Sequence, residues 1–200
     1  MYSNNTLNDC TCAAAGHLIQ DWTAIAHREV TPTESQILEA YEAVAGYRPG
    51  DPSTDKGATK IAVLNYWRRK GIAGHTIWAY VAIEPGNHDQ VKDTVQYFGG
   101  AYIGLKLPIS AQYQLRDPLN LTVWSVPSGG PVGQGLPGSW EGHSVPVVAY
   151  DHRTLTVVSW GDLLKITWQF FDVYCDEAYA ILAHEWIDAK GGLPRGFKKV

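Results

Sequence analysis

Cysteine is scarce in this chain: three in 200 residues, at Cys10, Cys12 and Cys175. An odd count at that spacing makes no disulfide framework, and Cys-x-Cys without a second pair makes a poor zinc site. A reducing compartment is therefore expected, with no metal and no cofactor. Long apolar runs are missing too; none approaches the roughly 18 residues of a membrane span, so no membrane partner is expected. The opening residues Met1-Tyr2-Ser3 lead into neither a basic n-region nor an apolar h-region. Synthesis and folding in the cytoplasm are the expectation. Positive charge is the smaller share, 16 Lys and Arg against 20 Asp and Glu, for a net −4. A nucleic-acid surface needs clustered Lys and Arg, so nucleic acid is excluded as a partner. Two short basic clusters do occur, Arg68-Arg69-Lys70 and residues 195–199. The first reads as a helix end complementing the dipole and the second as a solvated end. Gly129-Gly130-Pro131-Val132-Gly133-Gln134-Gly135 lacks the following Lys-Ser/Thr of a phosphate loop. It reads as a lid or a contact loop.

What is present is a folding composition, 45% hydrophobic and 18% charged, with eight Trp and eleven Tyr. This suits one domain, or two lobes sharing a cleft, with an aromatic core, interface or groove. Helical spacing predicts a first helix over residues 10–27, with Ala15, Leu18, Ile19, Trp22, Ile25 and Ala26 on one face and Asp9 or Asn8 as N-cap. A second helix follows a capping box in Thr31-Pro32-Thr33-Glu34 and stops at Gly46. After a Pro/Gly-rich loop over 47–57, a third runs over 58–70, packs Ile61, Leu64 and Trp67, and ends at Gly71. Residues 72–83 have strand character, and a fourth helix over 88–98 is capped by Asn87. Strands are then expected over 101–107, 121–126, 144–150, 154–160 and 177–182. The order predicts an α+β protein of two lobes. Residues 1–71 would be mainly helical, 72–183 mainly strand, with 184–200 a tail.

Chemistry concentrates at two places. Cys10 opens a helix, where the positive dipole end favours thiolate, and His143 enters an apolar strand far downstream, where it can accept and return a proton. On a helical wheel Cys10 lies off the apolar stripe and Cys12 at its edge, which makes Cys10 the exposed thiol and Cys12 the structural one. The remaining histidines have no companions at ligand spacing.

A Cys starting a long helix, a helical first lobe, Gly99-Gly100 leading a strand, a His starting another strand, and Ser159-Trp160-Gly161 ending the next resemble the papain-like cysteine peptidase superfamily. That family's His lies about 130–150 residues after its Cys, and His143 falls in that window. Asp9-Cys10-Thr11-Cys12-Ala13 resembles the start of the bacteriocin-leader-processing branch, and the chain is similar to papain-like proteins of bacteriophages. The resemblance implies a helical N-terminal lobe, an antiparallel sheet or half-barrel C-terminal lobe, Cys10 as nucleophile and His143 as base. It places the oxyanion carboxamide at Asn4, with Asn5 beside it. The residue orienting the base falls at Ser159, with Asp162 as the alternative; a Cys–His dyad or a silent site stays open. Three functions follow: a hydrolase of peptide or isopeptide bonds, with a protein or peptide substrate; an inactive scaffold in a virion or on another protein partner; and a peptidoglycan amidase.

Overall fold

The structure is a computed structural model that describes residues 1–115 and 123–189. The expected strand over 121–126 is described only from residue 123, and the basic cluster at 195–199 lies outside the described residues.

Helix α1 (Cys10–Ile25) runs through the middle of one hydrophobic cluster. The sequence suggests a single apolar face, but every residue from Thr11 to Ile19 is buried. Small residues allow this: a Cβ at Gly16 would lie 2.7 Å from Ile37 Cδ1, so α2 (Glu34–Ala45) packs directly on the α1 backbone. The stripe ends early. Ile25 is exposed, because α1 stops there rather than at residue 27. The capping box of α2 is Thr33 with Gln36, not Thr31 with Glu34. Thr33 accepts the Gln36 N–H, Gln36 accepts the Thr33 N–H, and Pro32 lies outside the helix. Helix α3 (Lys60–Lys70) begins two residues later than expected, since the Thr59 hydroxyl accepts the Ala62 N–H as N-cap. That register exposes Ile61 and buries Val63, Leu64 and Trp67. Trp67 stacks on Trp22 of α1 at 5.6 Å.

Among the described residues, a seven-stranded sheet carries the second cluster. In chain order the strands are β1 (Ile77–Ile83), β2 (Ala101–Leu107), β3 (Val123–Trp124), β4 (Glu141–Tyr150), β5 (Thr154–Ser159), β6 (Asp162–Thr167) and β7 (Cys175–Ala183). They lie side by side as β1-β7-β2-β4-β5-β6-β3, antiparallel except for β3 on β6. Strand β2 is covered on both faces. Tyr102 joins the helical cluster, while Ile103 and Leu105 join the sheet cluster. Helix α4 (His88–Phe98) starts and stops as its Asn87 and Gly99 caps dictate.

Several elements differ from expectation. Residues 72–76 form a tight turn, with Ile72 bridging His75, so β1 begins only at Ile77. Strand β6 and the helices α5 (Ile109–Leu115), α6 (Trp168–Tyr174) and α7 (His184–Ala189) are unforeseen. Helix α6 is aromatic enough to read as strand. It turns helical because the Thr167 hydroxyl caps the Phe170 N–H. No described helix is long and apolar enough to cross a membrane.

Candidate active site

Helix α1 points its first residue at β4. The β5 ladder begins only at Val147, so the preceding stretch of β4 is free on that side. Ser144 and Pro146 share this side, where the missing N–H of Pro146 breaks no ladder bond. The Ser144 N–H meets the Cys10 sulfur there. Tyr102 of β2 fixes the approach by donating to the Thr11 carbonyl at 2.8 Å. Cys10 is thereby one peptide away from His143. The two side chains line one open cavity of about 370 Å³.

The environment of the thiol differs from the expectation based on the helix dipole. Burial pushes the Cys10 thiol up, against the lowering effects of the Ser144 N–H and the Lys60 ammonium. Burial also pulls His143 down to about 3, helped by the same ammonium. At neutral pH the resting pair is thiol and neutral imidazole.

His143 Nε2 lies 3.0 Å from Ser159 Oγ. Its ring stacks on Trp160 with centroids 4.6 Å apart and planes 18° off parallel. One turn makes both contacts. Ser159 pairs with Asp162 across the β5–β6 hairpin, leaving Trp160 and Gly161 as a two-residue loop. Both have positive φ, 48° and 82°, as a type I′ turn requires. A bulky residue in that region costs about 1–2 kcal/mol. Trp160 offsets this by packing its indole on His143 and against Trp124 and Trp140.

The other sequence candidates are placed differently. Asp162 is exposed beyond the turn and lines another cavity, with Met1, His17 and Asp21, rather than the one holding His143. Asn4 donates its side-chain amide to Asp9 Oδ1 at 3.1 Å and to the Leu7 carbonyl at 3.4 Å. Asn4 and Asn5 line a third cavity of about 390 Å³ with Trp140, Glu141 and Trp160. Cys12 is fully buried in the helical core, as its position on the wheel suggests. Asp9 takes the N-cap position without capping through its side chain. It is wholly buried, its Oδ2 has no partner among the described residues, and burial raises its carboxyl to about 7. His75 and His88 pair with Glu185 and Asp172.

One wall of the cavity is not evident from the sequence. Gly57, Ala58, Thr59 and Lys60 come from the α3 entry, and Asp176 from β7. Asp55 ties that entry to the segment before α1 and to α2, accepting the Asn8 N–H at 3.0 Å and the Tyr41 hydroxyl at 2.5 Å. Lys60 is nearly buried and pairs with Glu177 at 2.8 Å. The available signal was a lysine at a helix start, which the packing turns inward.

No protein-family model matches this sequence, and no curated protein sequence matches it at a significant level. Solved structures do match in fold. The cysteine protease CMS1MS2 of Carica candamarcensis, in complex with E-64, aligns with a TM-score of 0.60 at 10% identity, over 88% of this chain and 89% of that one. The cysteine protease and lectin-like domains of Cwp84, a surface layer associated protein of Clostridium difficile, align at 0.61 and 11% identity, over 88% of this chain. Digestive procathepsin L 3 of Tenebrio molitor aligns at 0.56 and 11%, over 88%. This chain spans 47% of the Cwp84 chain and 64% of the procathepsin chain. The fold is that of papain-like cysteine proteases, an α+β pair of lobes.

Proposed function

We propose that this papain-like fold is a thiol hydrolase acting on a peptide or isopeptide amide bond. The observation that carries the reading is that Cys10 and His143 line one open cavity, with Ser159 on His143 Nε2. Ser159 accepts the Nε2–H, which leaves Nδ1 with its lone pair free as the base. Because the resting pair is neutral, His143 removes the thiol proton as Cys10 attacks the carbonyl, rather than beforehand. The Cys10 backbone N–H receives the oxyanion. That donor lowers the barrier by roughly 3 kcal/mol. Protonated His143 releases the amine, and neutral His143 then activates water against the thioester.

The test is incubation with E-64, followed by peptide mapping. An adduct on Cys10 is expected, formed far more slowly by a folded His143→Ala variant. Absence of the adduct from the wild-type protein, or equal rates in the two, overturns the reading.

Two observations favour a second reading, a catalytically silent scaffold serving a virion or another protein partner. Burial works against both ionised forms, and a hydroxyl rather than a carboxamide contacts His143. A Cys10→Ala chain that binds its partner normally but has lost function would refute that alternative.

A further inference from the structure

Lys60 has an arrangement that the hydrolase reading does not use. Its ammonium lies flat on β2, where a Cβ at Gly104 would come only 2.3 Å from Nζ, so only glycine leaves it room. The residue is 8% exposed, yet it lines the cavity that holds Cys10 and His143. Glu177 takes one of its three N–H groups and does not itself line the cavity. Two further features make the cavity electropositive. The N-termini of α1 and α3 both open onto it, through Cys10 and Thr11 and through Thr59 and Lys60. Lys56 stands at its rim. The Thr11 hydroxyl, 4% exposed and also on the lining, is a neutral donor there, shared with the Cys12 sulfur. Among the described residues Asp176 is the one carboxylate on the lining; its Oδ2 lies 3.8 Å from Lys106, and its Oδ1 approaches Gly104 beside the Lys60 ammonium, offsetting part of that charge.

We infer that this cavity accepts an acidic side chain, an Asp or Glu flanking the scissile bond, with Lys60 as the cation that selects it. The inference rests on the hydrolase reading only in assuming that a bond is cut; the charge preference of the cavity is testable without turnover. An ammonium within a few ångströms of the bound carboxylate, partly screened, is worth about three- to tenfold in selection.

The experiment compares iodoacetate with iodoacetamide as alkylating agents of Cys10, read by peptide mapping at about pH 8.5. Both reagents consume the same thiolate, so their rate ratio is independent of the thiol pKa and reports local charge. The reference is the ratio for Cys10 in the urea-unfolded chain. The folded protein should exceed that reference about three- to tenfold. Lys60→Met should bring the ratio back toward the reference, Lys60→Arg should restore it, and Asp176→Asn should raise it. The double variant Lys60→Met/Glu177→Gln, which leaves no unpaired carboxylate, keeps the comparison valid if the single change unfolds the protein. A blocked tripeptide with central Glu should also protect Cys10 from iodoacetamide better than its Gln counterpart. A folded-state ratio at the reference, a ratio that Lys60→Met leaves unchanged, or equal protection by the two peptides overturns the inference. Failure of the E-64 adduct would leave all three measurements standing, so the two readings fail separately.

Discussion

Replacing Asp9 with asparagine should stabilise this protein, increasingly so as pH rises. The carboxyl is wholly buried, and Asn4 donates to one oxygen while the other finds no partner among the described residues. Burial raises its pKa from 3.8 to about 7. A carboxyl raised on folding holds its proton in the native state while the unfolded chain has released it. Its contribution to stability is therefore full below about pH 4 and is lost as pH climbs toward 7. A tenfold change in proton affinity between the two states is worth about 1.4 kcal/mol, so the wild-type chain loses about 4 kcal/mol between pH 4 and pH 8 from this group. The asparagine of an Asp9→Asn variant would keep the acceptor for Asn4 and carry no charge to desolvate. Buried His143 and His17, lowered to about 3 and about 4, give the opposite slope below pH 6.5. The informative quantity is thus the difference between the two proteins, not either curve alone. Urea unfolding from pH 4 to 8 should show Asp9→Asn gaining about 1.4 kcal/mol over the wild type for each step of one in pH, then levelling off above pH 7. Parallel curves would refute the assignment of a neutral carboxyl beside the thiol.

Two further changes probe the same framework. Ser159→Ala leaves His143 Nε2 without its partner in a buried setting, and should cost about 1–3 kcal/mol in urea unfolding while slowing E-64 labelling of Cys10. An unchanged labelling rate would mean that the serine does not orient the ring. Gly99→Ala puts a Cβ 2.3 Å from the Trp186 ring at a φ of 75°. It should lower stability by about 2–4 kcal/mol, read as a drop in the thermal midpoint, by adding overpacking to the left-handed strain.

The helical lobe is legible in the sequence wherever the cue is local. Asn87 and Gly99 bound α4, Gly46 and Gly71 end α2 and α3, and the burial of β2 follows from its small and apolar residues. The proximity of Ser159 to His143 is what the papain-like resemblance implies through its spacing from the histidine. The sheet is less legible. Asp162–Thr167 alternates buried Leu164 and Ile166 with exposed neighbours, a strand signal, but Trp160-Gly161 reads as a strand end because tryptophan is rarely found in a hairpin turn. Long-range facts are the hidden ones. Nothing local shows that α1 is enclosed on all sides, that burial overrides the dipole at Cys10, or that Lys60 folds inward over Gly104. Each depends on what the far half of the chain brings against it.

The hairpin at Trp160 and Gly161 holds one of the histidine's neighbours in its loop and the other, Ser159, at the strand end beside it, with no slack between them. Inserting one residue would shift β6 by one position against β5, turn Leu164 and Ile166 toward solvent, and pull the indole off the imidazole, leaving only the Ser159 hydroxyl on β5 in place. Drift in loop length, which most surface connections absorb, would here dismantle sheet and site together. Lineages that retain this arrangement should vary elsewhere and leave that four-residue corner uninterrupted.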